Sequence, residues 1–135
     1  MGKENEIIST SYTPEELYSV MYRAEQGGAY VAHIRGELCS TTDSFFREIS
    51  SAMRFPHYFG WNWAAFDECI TDLEWLKFSS LLIVIDNYES LFVDDNSPNM
   101  SVKLLIKYLT MTAEYWKSQN VPISVYLNHQ LKSKH

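Results

Sequence analysis

The chain has 135 residues, 46% hydrophobic and 21% charged, a composition that suits one folded domain with a real core. Its formal net charge of −6 argues against direct nucleic-acid binding, because phosphate backbones are held by an excess of Lys and Arg. The same sign suits a basic protein partner.

In chain order, residues 1–10 are polar and expected to be loosely held. Thr13-Pro14-Glu15-Glu16 predicts a helix start, with a hydroxyl N-cap, Pro at the first helical position and acids in the first turn. The helix runs to about Glu25 and stops at Gly27-Gly28. Residues 29–34 read as a strand. Thr41-Thr42-Asp43 offers N-caps for a second helix that carries Phe45, Phe46, Ile49 and Met53 and that Pro56 terminates. An aromatic loop follows, with Tyr58, Phe59, Trp61 and Trp63 around Gly60, and leads into an acidic helix from about Asn62 to Leu73. Residues 81–86, LLIVID, form an apolar run expected of a strand covered on both faces. Residues 87–100 read as a loop, residues 101–119 as a long helix and residues 121–127 as a last strand. Strands separated by helices predict an α/β fold with a small three-stranded parallel sheet, preceded by an N-terminal helix. A boundary is expected between residues 28 and 29, giving an extension over 1–28, a domain over 29–128 and a polar tail over 129–135.

The acidic helix separates into two sides. Phe66, Cys69, Ile70 and Leu73 fall on one stripe at i, i+3, i+4, i+7. The opposite side carries Ala64, Asp67, Glu68, Thr71, Asp72 and Trp75. Like charges one turn apart cost a few tenths of a kcal/mol. No lysine or arginine of the helix relieves them; the first basic residue after it is Lys77. Most acidic helix faces are simply solvated. Here the neighbouring Tyr and Trp residues, which cannot all be core in one short loop, add the composition of a protein-binding surface.

This segment resembles the barstar family of intracellular ribonuclease inhibitors and their relatives among toxin-immunity proteins. The block that carries the resemblance runs without a gap as Phe55-Pro56-His57-Tyr58-Phe59-Gly60-Trp61-Asn62-Trp63-Ala64-Ala65-Phe66-Asp67-Glu68-Cys69-Ile70 and continues through Leu76. Outside it the layout of strands and helices over residues 29–128 agrees. The resemblance implies a nuclease partner, a ribonuclease first among them, whose active site is covered by the loop and the acidic helix. It gives Glu68 the place of the central acid and Tyr58 that of the aromatic that packs on the enzyme's catalytic histidine. Phe59, Asn62, Trp63, Thr71 and Leu73 fall at further contact positions. Two positions depart from the family pattern: its usual acid is Ala64 here, and its usual aromatic three residues later is Asp67. Tyr115, beside Glu114, aligns with a late acidic contact.

The expected partner surface is therefore Tyr58, Phe59, Gly60, Trp61, Asn62, Trp63, Ala64, Asp67, Glu68, Thr71 and Asp72. No enzymatic activity, cofactor or metal is expected. The alternatives are a regulatory module for a basic partner that is not a nuclease, and a metal-dependent enzyme using Asp67, Glu68 and Asp72. Against the latter, no second element supplies obvious ligands. Cys39 and Cys69 make no disulfide framework and read as reduced thiols. With no secretory leader and no apolar run long enough to span a bilayer, a cytoplasmic protein with no membrane contact is expected. The four histidines form no catalytic or metal set. Asp86 stands where α/β enzymes place catalytic groups, although a strand-ending Asp more often caps the next turn. The Asp94-Asp95-Asn96-Ser97-Pro98 run lacks the spacing of a calcium loop.

Overall fold

The computed structural model describes residues 5–130. Four strands rather than three form its sheet: β1 (Glu6–Thr10), β2 (Tyr30–Arg35), β3 (Leu81–Asp86) and β4 (Ile123–Asn128). All neighbours are parallel, in the order β1-β4-β3-β2. The extra strand lies in the segment that reads as a loose polar end. Its Ile7, Ile8 and Thr10 are β-branched, but at a sheet edge only one side of the ladder needs pairing, so the run stays short and half polar.

Four helices connect the strands: α1 (Pro14–Gln26), α2 (Thr42–Met53), α3 (Trp63–Ile70) and α4 (Pro98–Ser118). Their faces follow from handedness. From β2 the chain steps to β3 and then to β4, always in one direction across the sheet. From β1 to β2 it crosses the whole sheet the other way. Parallel crossovers are right-handed, so the reversal sends α1 to one face and the other three helices to the opposite face. Alternation along β3 records the split. Leu82 and Val84 meet Leu17 of α1. Leu81, Ile83 and Ile85 enter the larger core with Phe45, Ile49, Phe66, Ile70, Leu105 and Leu109.

The helix starts follow local chemistry. Thr13 caps α1 in a capping box with Glu16, and Pro14 occupies its first turn. Thr41 caps α2 in the same way with Ser44. Helix α4 begins at Pro98, about three residues before the expected start, because Pro suits the first turn of a helix. Helix α3 is shorter than expected, ending at Ile70, and Leu73 beyond it has a left-handed backbone (φ 50°).

The N-terminal segment is joined to the rest by Asn128, which is fully buried. Its side-chain oxygen accepts from Thr10 Oγ1 (2.7 Å) and from the Tyr12 amide (2.8 Å), while its Nδ2 donates to Tyr12 O and Asp86 Oδ1 (both 3.1 Å). Asp86 also accepts from the Asn87 amide at 2.8 Å. This carboxylate therefore ties strand ends together, the capping outcome that its position allowed. No helix among the described residues is long and apolar enough to cross a membrane.

Candidate partner-binding face

The loop between α2 and α3 is fixed from both ends. Arg54 closes α2 in the left-handed conformation, and Pro56 bars further helix. At the far end Asn62 is the N-cap of α3: its side-chain oxygen accepts from the Ala65 amide at 2.8 Å, and its Nδ2 donates back to Gly60 O at 3.1 Å. Asn62 is exposed, but both ends of its amide are already engaged within the chain.

The four aromatics divide into two pairs. Phe59 is only 4% exposed and packs edge-on against Phe46 and Phe55. Trp63 is half-buried and stacks on Tyr108 of α4, with ring centroids 5.5 Å apart and planes 8° apart. Tyr58 and Trp61 project instead, 67% and 48% exposed. Phe59, expected on the partner surface, thus belongs to the core, as does Leu73 at 1% exposure. Both are drawn in because an apolar side chain gains most by leaving water.

Helix α3 is held by its inner side. Phe66, Cys69 and Ile70 are buried. Trp116 Nε1 donates to Ile70 O at 2.9 Å, and Thr71 Oγ1 donates to Asp67 O at 2.6 Å, so two of the last four carbonyls of the helix have side-chain partners. Trp75 Nε1 donates to Met53 O at 3.0 Å and ties the following turn to α2. The outward residues are Ala64, Glu68 and Asp72, with Asp67 and Thr71 half-buried. Tyr115 and Glu114 are exposed on α4.

A cleft of about 220 Å³ opens between the loop and α3, lined by Tyr58, Phe59, Ala65, Glu68, Cys69 and Asp72. Of the expected surface, it gathers Tyr58, Glu68 and Asp72 over a floor that includes Phe59. Gly60, Trp61, Asn62, Trp63, Ala64, Asp67 and Thr71 do not line it. Ala65 and Cys69 are lining residues that were not expected there. Their sequence signal is spacing: Ala65, Cys69 and Asp72 follow at i, i+4 and i+7, one line along α3 and its extension.

The cleft is negative. The Tyr58 phenol is held above the usual tyrosine range, by local desolvation first and then by Asp72, Cys69, Glu74 and Glu68. The Cys69 thiol is raised as well, by burial and then by Asp72 and Glu68, so it stays protonated and unreactive. Among the described residues, neither Glu68, Asp72 nor Glu74 has an ion-pair partner. Free carboxylates around an aromatic can accept charge-assisted hydrogen bonds from a guanidinium or ammonium and pack against a flat cationic ring. Among the described residues, no group of three or more His, Cys, Asp or Glu side chains is placed to hold a metal ion.

Comparison with known proteins agrees with this architecture. The family model described as Barstar (barnase inhibitor) matches residues 29–128, which span β2 to β4 with the whole loop and α3. No curated protein matches the chain.

Proposed function

The chain belongs to the barstar family, and from that premise we propose that it is a nuclease inhibitor that covers the active site of a basic nuclease, a ribonuclease first among them. Its role is that of a cytoplasmic immunity protein in a bacterial toxin system. The observation that carries this reading is the cleft itself. Glu68 and Asp72 meet Tyr58 there with no cation of the described chain to neutralise them.

A ribonuclease active site is lined with cations that hold RNA phosphate. Carboxylates carried by α3 and the turn that follows it substitute for that phosphate, and the capping and core contacts that position this segment are made within the chain, which lowers the entropic cost of association. Glu68 is the central acid, Asp72 its neighbour, and Tyr58 the ring that covers the enzyme's histidine. Gly60, Trp61, Asn62, Trp63, Ala64, Asp67 and Thr71 form the rest of the contact face. Ala64 leaves the first turn of α3 without a carboxylate, so the acidic weight lies in its second half and in the turn beyond it, at Glu68, Asp72 and Glu74. That shift points to a nuclease whose cations are arranged differently from those met by the usual family pattern.

The test is RNA cleavage by barnase, and by any nuclease encoded beside this chain's gene, titrated with the purified protein. Stoichiometric inhibition of at least one is expected, and Glu68→Ala should weaken it by about 10- to 100-fold, the loss of a charged hydrogen bond of about 1.5–3 kcal/mol. Absence of inhibition for every nuclease, or full potency in Glu68→Ala, would overturn the reading.

A further inference from the structure

Gly60 and Trp61 stand side by side in the loop, and each is the wrong residue for its backbone. Trp61 has φ 56°, in the left-handed region that favours glycine. Gly60 is outside that region, and a Cβ built on it would stand 3.4 Å from Asn62 Nδ2 and 3.5 Å from Ala65 Cβ, ordinary van der Waals contact. The backbone would be better served by a side chain at 60 and a glycine at 61.

The other left-handed residues have local reasons. Among the described residues seven non-glycine positions have positive φ. Asn5, Asn87 and Asn120 are the residue type that tolerates it best. Arg54 closes α2. Leu73 and Phe92 bury their side chains almost completely, so packing holds their backbones. Trp61 is neither a tolerant type nor buried: its indole is 48% exposed. It leans on Phe59, with centroids 5.2 Å apart, and the Arg47 guanidinium lies 5.9 Å from the ring centre, itself held by Asp43 at 3.2 Å.

A bulky exposed side chain kept where the backbone disfavours it is better explained by a partner than by the fold. The missing side chain at the adjacent position has the same explanation, because a bare backbone allows close approach. We propose that Gly60-Trp61 is a specificity element at the rim of the acidic cleft: Gly60 admits the nuclease backbone and Trp61 seats on an apolar recess of the nuclease next to its cations. The recess is apolar because Trp61 presents a half-exposed apolar ring braced on Phe59, and the cation nearest that ring, Arg47, is already paired with Asp43. The contact thereby extends from α3 toward α2, and it separates nucleases that share active-site cations but differ in the surface beside them.

This inference rests on the nuclease-inhibitor reading, and one experiment distinguishes the two. Parent, Trp61→Asn, Gly60→Ala and Glu68→Ala are compared for thermal stability and for inhibition of the nuclease that the parent inhibits most strongly among barnase and those encoded beside its gene. Asn tolerates left-handed backbone, so Trp61→Asn keeps the loop conformation without the indole. The expected result is a Tm within about 2 °C of the parent for Trp61→Asn and Gly60→Ala, with inhibition weakened ~10-fold or more in each. Weakening by Glu68→Ala alone would overturn this inference and leave the inhibitor reading standing. A Tm lowered by several degrees in either loop variant would also overturn it, because the fold would then be what selects these residues. No effect of Glu68→Ala, or no inhibition by the parent, would remove the reading and the inference together.

Discussion

Two glycines illustrate how differently one residue type is used along this chain. A Cβ at Gly60 fits, whereas a Cβ at Gly36 would run into the backbone oxygens of Asp86 and Asn87, closer than any real Cβ approaches. Gly36 opens the short 3-10 turn Gly36–Leu38, where the end of β2 passes the end of β3. Backbone cannot move aside as a flexible side chain can, so Gly36→Ala should destabilise the protein by about 1–3 kcal/mol, read as a lower midpoint in chemical denaturation. An unchanged midpoint would show that the strand ends separate at no cost. The cysteines are settled at the same scale. Burial and the nearby Glu48 and Glu37 push the Cys39 thiol up to about 12, so it is inert at neutral pH. Asn62 is read from sequence both as a helix start and as a contact residue. The capping hydrogen bonds satisfy the first role and leave the second to the faces of the amide that remain open.

The elements that were legible in the sequence are those with strong local signals. Thr13-Pro14 and Thr41 cap helices where the sequence reading places them, the run at 81–86 is a strand covered on both faces, and the Phe66-Cys69-Ile70-Leu73 stripe is buried. What was not legible depends on distant partners. Strand β1 exists because β4 offers it an edge, and no feature of residues 6–10 announces that edge. Phe59 cannot be assigned inside or outside from its own position, since the decision lies with Phe46 and Phe55. The start of α4 was present as Ser97-Pro98 but stood beside an acidic loop whose role is also long-range. Asp95 of that loop accepts from the Thr42 amide at 2.9 Å, from Thr42 Oγ1 at 2.5 Å and from Ser101 Oγ at 2.6 Å, joining the starts of α2 and α4. Partial burial would raise the Asp95 carboxyl, but the hydrogen bonds from Ser101 and Thr42 together outweigh it and hold the group below its ordinary range. With a depressed folded pKa the unfolded chain takes up the proton first. This contribution to stability is therefore full above the unfolded carboxyl's pKa of about 4 and is lost as pH falls through the folded value. Asp95→Asn should cost about 1 kcal/mol at neutral pH, and its deficit relative to the parent should shrink as pH falls below about 4. A deficit that stays constant down to acid unfolding would contradict the assignment.

At the scale of the whole molecule, chain reversal and charge act together. The right-handed crossovers leave α1 alone on one face of the sheet and gather α2, α3 and α4 on the other, so the loop and the acidic cleft lie on the larger-core side, braced by Tyr108 and Trp116 of α4. The net charge of −6 adds a long-range field to the local one. Encounter with a basic nuclease should then be steered, and its association rate should fall by about tenfold or more between low and high ionic strength, while the dissociation rate changes less. A rate flat across salt would argue that contact shape alone governs encounter. If the cleft and its aromatic loop occupy a nuclease active site, steady-state inhibition at several RNA substrate concentrations will reveal it. Competition is expected, with apparent potency falling in proportion as substrate rises above its KM. Potency independent of substrate concentration would contradict it, because the protein would then bind the nuclease away from the site where RNA is cleaved.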